Sequence, residues 1–318
     1  MKDILLVGML LFATASFGQT YPNKPVRLVV PFAPGGSSTI VARSVASEME
    51  KALGQSIVIE NKGGGGGNPA MQDVARADPD GYTLLITHIG SLALNPYLYS
   101  NLPFDVNRDF VHISLLAKVP NIFVVHESVP AKDAREFVAL AKKEPGKFYY
   151  GSAGNGSAGH LAMEYFKLVS GIELQHVPYK GTGPNLVDLV AGRTHATSAG
   201  TPPLMPHVKA GKLRVIGVGS PKRLSTIPEA PTIAEQGFAG FETSQWYGLS
   251  APAKTPPAVI QRLAVEAAKA ATSPAVVERY KADDAEAVGS TPQEYADFVA
   301  KEQARWKDVI QRANIKID

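Results

Sequence analysis

The chain contains no cysteine. That excludes disulfides, thiolate nucleophiles and cysteine-ligated zinc. It also lacks any block of like charge. Its 32 Lys and Arg are interspersed with 29 Asp and Glu, for a formal net charge of +3. Nucleic-acid-binding chains concentrate basic residues on one face or tail, so no nucleic-acid partner is expected. Catalytic signatures are missing as well. There is no G-x-S-x-G, and Ser157 directly follows Gly156, which does not fit a nucleophile elbow. Neither H-E-x-x-H nor a Walker A loop occurs, and the seven histidines are dispersed along the chain. No cofactor, no metal and no enzymatic activity are expected, although a secreted α/β enzyme stays open as an alternative.

Long apolar runs are absent too, except at the start. The segment "MKDILLVGMLLFATASFGQ" places Lys2 ahead of an apolar stretch over 4–15, followed by the small residues Ser16 and Gly18. About a dozen apolar residues are too few to span a bilayer comfortably. Residues 1–18 read as a secretory signal peptide cleaved near Gly18, with an uncleaved membrane anchor as the competing reading. The protein is therefore expected in the periplasm, where nucleotide cofactors are scarce.

What the chain does have is alternation. Apolar, β-branched runs at 26–32, 56–60, 83–88, 122–126, 148–151, 174–179 and 213–218 read as buried strands. Helical spacing falls between them, as in 38–53, where Ile40, Val41, Val45, Met49 and Leu53 share a face. Further helices are expected over 131–143, 158–169 and 184–191. The Ala-rich tail adds 257–271, 274–283 and 292–313, with little strand signal after about Ser250. Strand, tight loop, helix, strand predicts parallel α/β sheets. The length suits two lobes. Extended stretches at 112–126 and 245–251 are candidate crossings, which assigns 19–121 and 247–318 to one lobe and 122–246 to the other. A ligand cleft is expected between them, at the carboxyl ends of the strands.

Two strand-to-helix loops are rich in glycine and hydroxyls: "PFAPGGSST" (31–39) and "GSAGNGS" (151–157). The second opens a literal G-x-G-x-x-G from Gly154 to Gly159. As a dinucleotide fingerprint it fails, because Glu173 comes before the next strand rather than at its end. As helix N-termini, both loops present free N–H groups and the positive end of the helix dipole, which favour an anion. Ordinary capped turns explain them equally well on spacing alone. Ser37, Ser38 or Thr39 caps one helix and Ser157 the other. A third loop, 87–96, offers Thr87, His88 and Ser91. A fourth, 198–203, offers the Thr201 hydroxyl and, at Gly200, room for close backbone approach. His160, in the first turn after the second loop, either caps or packs locally, or else donates to a ligand or braces the loop. The run Gly63 to Gly67 is either a flexible turn or a further source of N–H groups.

The segments "YPNKPVRLVVPFAPGG", "VIENKGGGGGN", "DPDGYTLL", "YGSAGNGSAGHLAMEYFK", "HVPYKGTGPNLVDLVAGR" and "PHVKAGKLRVIGVGSPKR" closely resemble the Bug-type extracytoplasmic solute-binding receptors of tripartite tricarboxylate transporters. The likeness runs from about Tyr21 to the C-terminus. It implies an α/β, two-lobed periplasmic-binding-protein fold of type II, with a ligand cleft between the lobes. It also implies a monomer that captures a small carboxylated solute by lobe closure and delivers it to the transporter's membrane components. A sensor subunit serving a membrane signalling partner is the alternative.

In such receptors the loops matching Phe32, Ala33, Gly36, Ser37, Ser38 and Thr39, and matching Ser152, Asn155, Gly156 and Ser157, grip one carboxylate from opposite lobes. The far end of the ligand is read by positions matching His88, Gly90 and Ser91, and Ala199, Gly200 and Thr201. This chain departs from the family pattern in two places. Thr39 stands where many relatives carry Asp, and Ser198-Ala199-Gly200 stands where many read F-D-N. Both acids serve amino groups. Their absence disfavours amino acids, because a buried ammonium would lack a counter-charge. The resemblance thus points to aromatic acids, dicarboxylates or tricarboxylates.

Overall fold

The computed structural model describes residues 21–313. The expected signal peptide lies outside the described residues. The first strand, β1 (Val26–Val30), is followed by α1 (Ser37–Leu53), whose apolar stripe includes Val41, Val45 and Met49. Gly54 ends α1 in the left-handed conformation (φ 67°) and returns its N–H to Glu50 O at 2.9 Å, an ordinary glycine C-cap. Then come β2 (Ile57–Asn61), α2 (Asn68–Ala75) and β3 (Thr83–His88). The glycine run between β2 and α2 is not a loose linker, since Gly65–Gly67 forms a 3-10 turn. A π-helical turn over Gly90–Leu94 leads into α3 (Asn95–Leu98).

The strand β4 (Phe110–His126) is the backbone of the whole molecule. Its first part pairs antiparallel with β9 (Ser244–Pro252), from Phe110 opposite Pro252 to Pro120 opposite Ser244. From Asn121 onward it enters a second sheet. There it pairs antiparallel with β7 (Ala196–Gly200) on one side and β8 (Leu213–Val218) on the other. The first sheet runs β2-β1-β3-β9-β4, with β1 parallel to both β2 and β3. The second continues from β7 to β5 (Tyr149–Ser152) and β6 (Gln175–Pro178), both pairings parallel. The sheets thus belong to two α/β lobes, and β4 passes from one to the other around Asn121.

The second sheet is covered by α4 (Ala134–Lys143), α5 (Ala158–Ser170), α6 (Thr182–Val190) and α7 (Thr201–Lys209). One core there gathers Phe123, Phe137, Tyr150 and Phe166; another gathers Ile122, Leu189 and Leu204 on the opposite face. The tail returns to the first lobe as α8 (Pro257–Ala271), α9 (Pro274–Lys281), β10 (Glu286–Ala287) and α10 (Pro292–Ala313). Leu263 and Ala267 of α8 pack on one face of the first sheet, while Tyr295 and Trp306 of α10 pack on the other.

Three local expectations need correction. The segment 198–203 is not a loop: Ser198 to Gly200 completes β7 and Thr201 opens α7 directly. Strand β3 spans 83–88 as expected, but 87–96 is not a loop: Thr87 and His88 end β3, and helical turns follow. The tail does add a strand, because β10 pairs with β4 at Lys118 and Ala117. Two residues of pairing carry too weak a pattern to register in sequence.

Candidate functional site

The lobes meet across a small enclosed cavity. Its walls include Phe32, Ser37, Ser38 and His88 from the first lobe and Ser157, Thr182, Asn185, Ser198 and Ala199 from the second. Gln245 and Tyr247 of β9 line it from the side where β4 and β9 join the lobes. The cavity's volume is about 20 Å³, roughly room for one water. Among the described residues, no Asp, Glu, Lys or Arg lines it.

Chain physics explains how the two glycine loops reach this cavity. Both follow parallel strands, and both feed a helix whose first turn carries unpaired N–H groups. Gly36 caps α1 without a side-chain bond, so the Ser37 and Ser38 hydroxyls are not spent on capping. Ser157 caps α5, its Oγ accepting from His160 N at 3.3 Å. Near the crossing, a relay of amides and a phenol fixes the wall: Tyr247 O–H donates to Gln245 Oε1, and Gln245 Nε2 donates to Asn121 Oδ1 at 2.6 Å.

His88 is buried against Phe32, with ring centroids 4.7 Å apart. Burial pushes its pKa down to about 3. Its Nδ1 accepts from Ser91 N at 3.2 Å, which leaves the ring proton on Nε2. It therefore offers the cleft a neutral donor, not a cation. His160 does not line the cavity. Its Nδ1 accepts from Gly156 N at 3.3 Å, its ring stacks on His176 at 4.3 Å, and burial lowers its pKa to about 4. His176 in turn shares a hydrogen bond of 2.7 Å with Ser152 Oγ, which also accepts from Gly154 N at 3.0 Å. His160, His176 and Ser152 together brace the second glycine loop from within its own lobe.

Several residues expected at the ligand do other work here. Ala33 N donates to Lys180 O at 2.9 Å, a backbone bond between lobes. Gly36 packs against Thr182, where a Cβ would crowd the threonine side chain. Thr39 is buried, but its Oγ1 accepts from Asn61 Nδ2 at 2.8 Å, and that amide also holds Phe32 O at 2.7 Å. Gly90 lies against Gly156 O, and Asn155 O accepts from Tyr99 O–H at 3.0 Å, so these positions also meet across the lobes. Ser91 bonds back to His88, its Oγ donating to His88 O at 3.0 Å. Gly200 packs on Ser37 and Val119, and Thr201 donates to Asp283 O. None of Ala33, Gly36, Thr39, Gly90, Ser91, Ser152, Asn155, Gly156, Gly200 or Thr201 lines the cavity.

The cavity also gathers Thr182, Asn185, Gln245 and Tyr247, which were not expected at the ligand, and Ser198, expected only as part of the fourth loop. For Thr182 and Asn185 a signal existed: "KGTGPN" is one more glycine-bearing turn into a helix. For Gln245 and Tyr247 the signal was the stretch 245–251 as a candidate crossing, which places the segment between the lobes without naming side chains. A wider furrow of about 670 Å³ on the outer face of the first lobe carries charged groups. Several are paired: Lys24 with Asp80, and Arg27 with Asp73 and with the adjacent Glu60. Among the described residues, no group of three or more His, Asp or Glu could hold a metal ion, and no helix is long and apolar enough to cross a membrane.

Comparison with known proteins agrees with this architecture. The family model "Tripartite tricarboxylate transporter family receptor" matches residues 41–315, and the chain belongs to that family. BugT of Bordetella pertussis is 34% identical over 100% of this chain and 99% of its own length. A protein from the tcbD–tcbE intergenic region of Pseudomonas sp. (strain P51) is 36% identical over 96% of this chain and 93% of its own. Among solved structures, one described as a periplasmic transporter is 40% identical, with a TM-score of 0.91 over 94% of this chain and 100% of its own. A Rhodopseudomonas palustris protein solved with adipate is 36% identical, with a TM-score of 0.90 over 93% and 99%. MatC of the same organism, solved with malate, is 32% identical, with a TM-score of 0.87 over 91% and 100%. The two-lobed periplasmic-binding-protein fold is therefore that of a solute-binding family.

Proposed function

We propose that this protein is an exported receptor that captures a small carboxylated solute by closing its lobes and hands it to the membrane components of a tripartite transporter. One observation carries the reading. The N-termini of α1 and α5, one from each lobe, face a common cavity lined by hydroxyls and a neutral histidine and by no charged side chain. Such a site suits an anion held by dipoles and N–H groups. Helix dipoles contribute roughly 0.3–1 kcal/mol each, and each charge-assisted hydrogen bond about 1.5–3 kcal/mol. A few of them, shared between lobes, support micromolar binding without an arginine.

The lobes in this reading are 21–121 with 247–313, and 122–246, and export is directed by residues 1–18. Adipate and malate in the relatives' structures support a dicarboxylate-sized ligand. The lack of an acid in the cavity favours such acids over amino acids, whose ammonium would go uncompensated. Titration calorimetry with adipate, malate, succinate, citrate, benzoate, aspartate and glutamate tests this. Saturable binding of at least one of the non-amino acids, with compaction in small-angle scattering, is expected. Binding of aspartate or glutamate alone, or steady chemical conversion of any acid, overturns it.

A further inference from the structure

Away from the cavity, two adjacent residues of the first lobe hold the second lobe. Asp284 follows α9, whose Tyr280 is buried in the first lobe's core, and lies two residues ahead of Glu286, which pairs with Lys118 of β4. Each of its carboxylate oxygens takes two hydrogen bonds from one turn of the second lobe. Ser225 donates to Oδ1 from its N–H at 3.0 Å and from its hydroxyl at 2.6 Å. Thr226 donates to Oδ2 from its N–H at 3.0 Å and from its hydroxyl. That turn is anchored by its neighbours Leu224 and Ile227, both buried in the second lobe's core. The Thr201 hydroxyl, at the start of α7, donates to Asp283 O. Burial opposes charge on Asp284, but the donors outweigh it and hold the pKa below the ordinary carboxylate value. None of these residues lines the cavity.

The backbone sets this carboxylate apart. Asp284 has φ 52°, and among the described residues no other residue except glycine has a positive φ. Its N–H donates to Lys281 O at 3.3 Å, and Ala285 N–H donates to Tyr280 O at 3.0 Å. This is the helix-ending turn whose left-handed position is ordinarily glycine. Glycine ends α1 (Gly54) and α5 (Gly171) in that conformation. After α9 a side chain is kept where glycine would sit more easily, and that side chain bonds across the lobes. Asp284 is half-buried and Ser225 is exposed, so water can replace these bonds when they part, and the contact is reversible. Resting on the reading that the solute is captured by lobe closure, we propose that Asp284 is a positioning residue for capture. Its carboxylate clasps Ser225 and Thr226 in the closed state and biases the lobes toward that state. It reads no part of the solute, so it strengthens every ligand by one common factor.

Spin labels test this, since a chain without cysteine accepts two at chosen sites. Val58→Cys on β2 and Val187→Cys on α6 put exposed labels on the two lobes. Pulsed electron paramagnetic resonance then reads the distance between them, without ligand and with added adipate or malate. Asp284→Gly removes the carboxylate and suits the left-handed turn, so the fold and melting temperature should hold. The ratio of closed to open protein is expected to fall about tenfold. Any acid that binds in calorimetry should bind about tenfold more weakly, with the ratios among acids unchanged. A closed population equal to that of the wild type overturns the proposal and leaves capture by closure standing. If Asp284→Gly does not fold, Ser225→Ala with Thr226→Val removes two of the four donors from the other lobe. That variant is expected to lower the ratio about threefold, and an unchanged ratio again overturns the proposal. One distance, shared by wild type and variant and shifted by no acid, overturns both the clasp and capture by closure.

Discussion

The two glycine loops that face each other across the cleft look alike in sequence and are held in different ways. The loop after β5 is braced chiefly by its own lobe, although Asn155 O also accepts from Tyr99 O–H of the first lobe. Ser157 caps α5, His160 takes the Gly156 N–H, and His176 secures Ser152 beneath it. The loop after β1 has one clamp of its own, the Asn61 amide on Phe32 O and Thr39 Oγ1. Beyond that it rests on the other lobe, through Ala33 on Lys180 and through Gly35 and Gly36 on Gly183 and Thr182. In the proposed reading, one half of the anion site is held by its own lobe and the other is completed by closure. That division suits a receptor whose ligand selects the closed state.

The comparison breaks most severely where the lobes touch. A side chain at Gly183 would run into Pro34 O and Gly35, so Gly183→Val should hold the lobes apart. Ligand affinity is expected to fall about a hundredfold or more, with scattering that stays expanded in the presence of ligand. The melting temperature of the ligand-free protein should move little, because the substitution burdens only the contact between lobes. A variant that binds normally would remove closure from the mechanism.

Next in size is the preformed loop. Ser157→Asp places a negative charge at the α5 N-terminus, where the ligand carboxylate is proposed to sit. Loss of the hydroxyl together with like-charge repulsion should weaken every carboxylate by about 10- to 100-fold, and by similar factors. Affinities from calorimetry that fall for one acid and not another would mean that Ser157 reads ligand identity instead.

Acidification should strike the braced loop through its histidines. Burial holds His160 near pKa 4 and His176 near 3, below the 6.5 of an unfolded histidine. A lowered folded pKa means that the unfolded chain binds the proton more readily. The stability these rings contribute is complete above about pH 6.5 and is lost as pH falls toward 4. Melting temperature should thus be flat from pH 8 to 7 and decline from about pH 6.5 to 5. His160→Gln should shallow that decline; an unchanged slope would rule His160 out as a contributor.

The smallest effect belongs to the clamp on the first loop. Thr39→Val removes the acceptor for Asn61 Nδ2 and should cost about 0.5–1.5 kcal/mol of stability by denaturant melts. Because the hydroxyl bonds Asn61 instead of lining the cavity, selectivity among acids should hold. A change in ligand preference would return Thr39 to the reading that its place in the sequence first suggested.

Much of this molecule is legible in its residues. Period-2 and period-3.6 patterns mark the strands and helices, and glycine followed by serine marks both anion loops, because capping and left-handed turns are local requirements with few residue solutions. His88, Ser37, Ser38 and Ser157 lie at the cavity where their loops suggested. The misses share a cause. Thr39 and Thr201 carry hydroxyls suited to a ligand, but neighbouring Asn61 and Asp283 engage them. Asn185 reaches the site from α6, Ser198 from β7, and Gln245 and Tyr247 from β9, and only packing sets which of these side chains meet there.

The sequence by itself determined most element types, the family and the lack of any thiol, since these follow from composition and short-range patterns. Tertiary structure alone decided which polar groups are spent and which are left over. A hydroxyl or amide is free for a ligand only if nothing within about 3 Å has already taken its proton or lone pair. β4, passing between two sheets at Asn121, is what brings groups of both lobes to the same cavity.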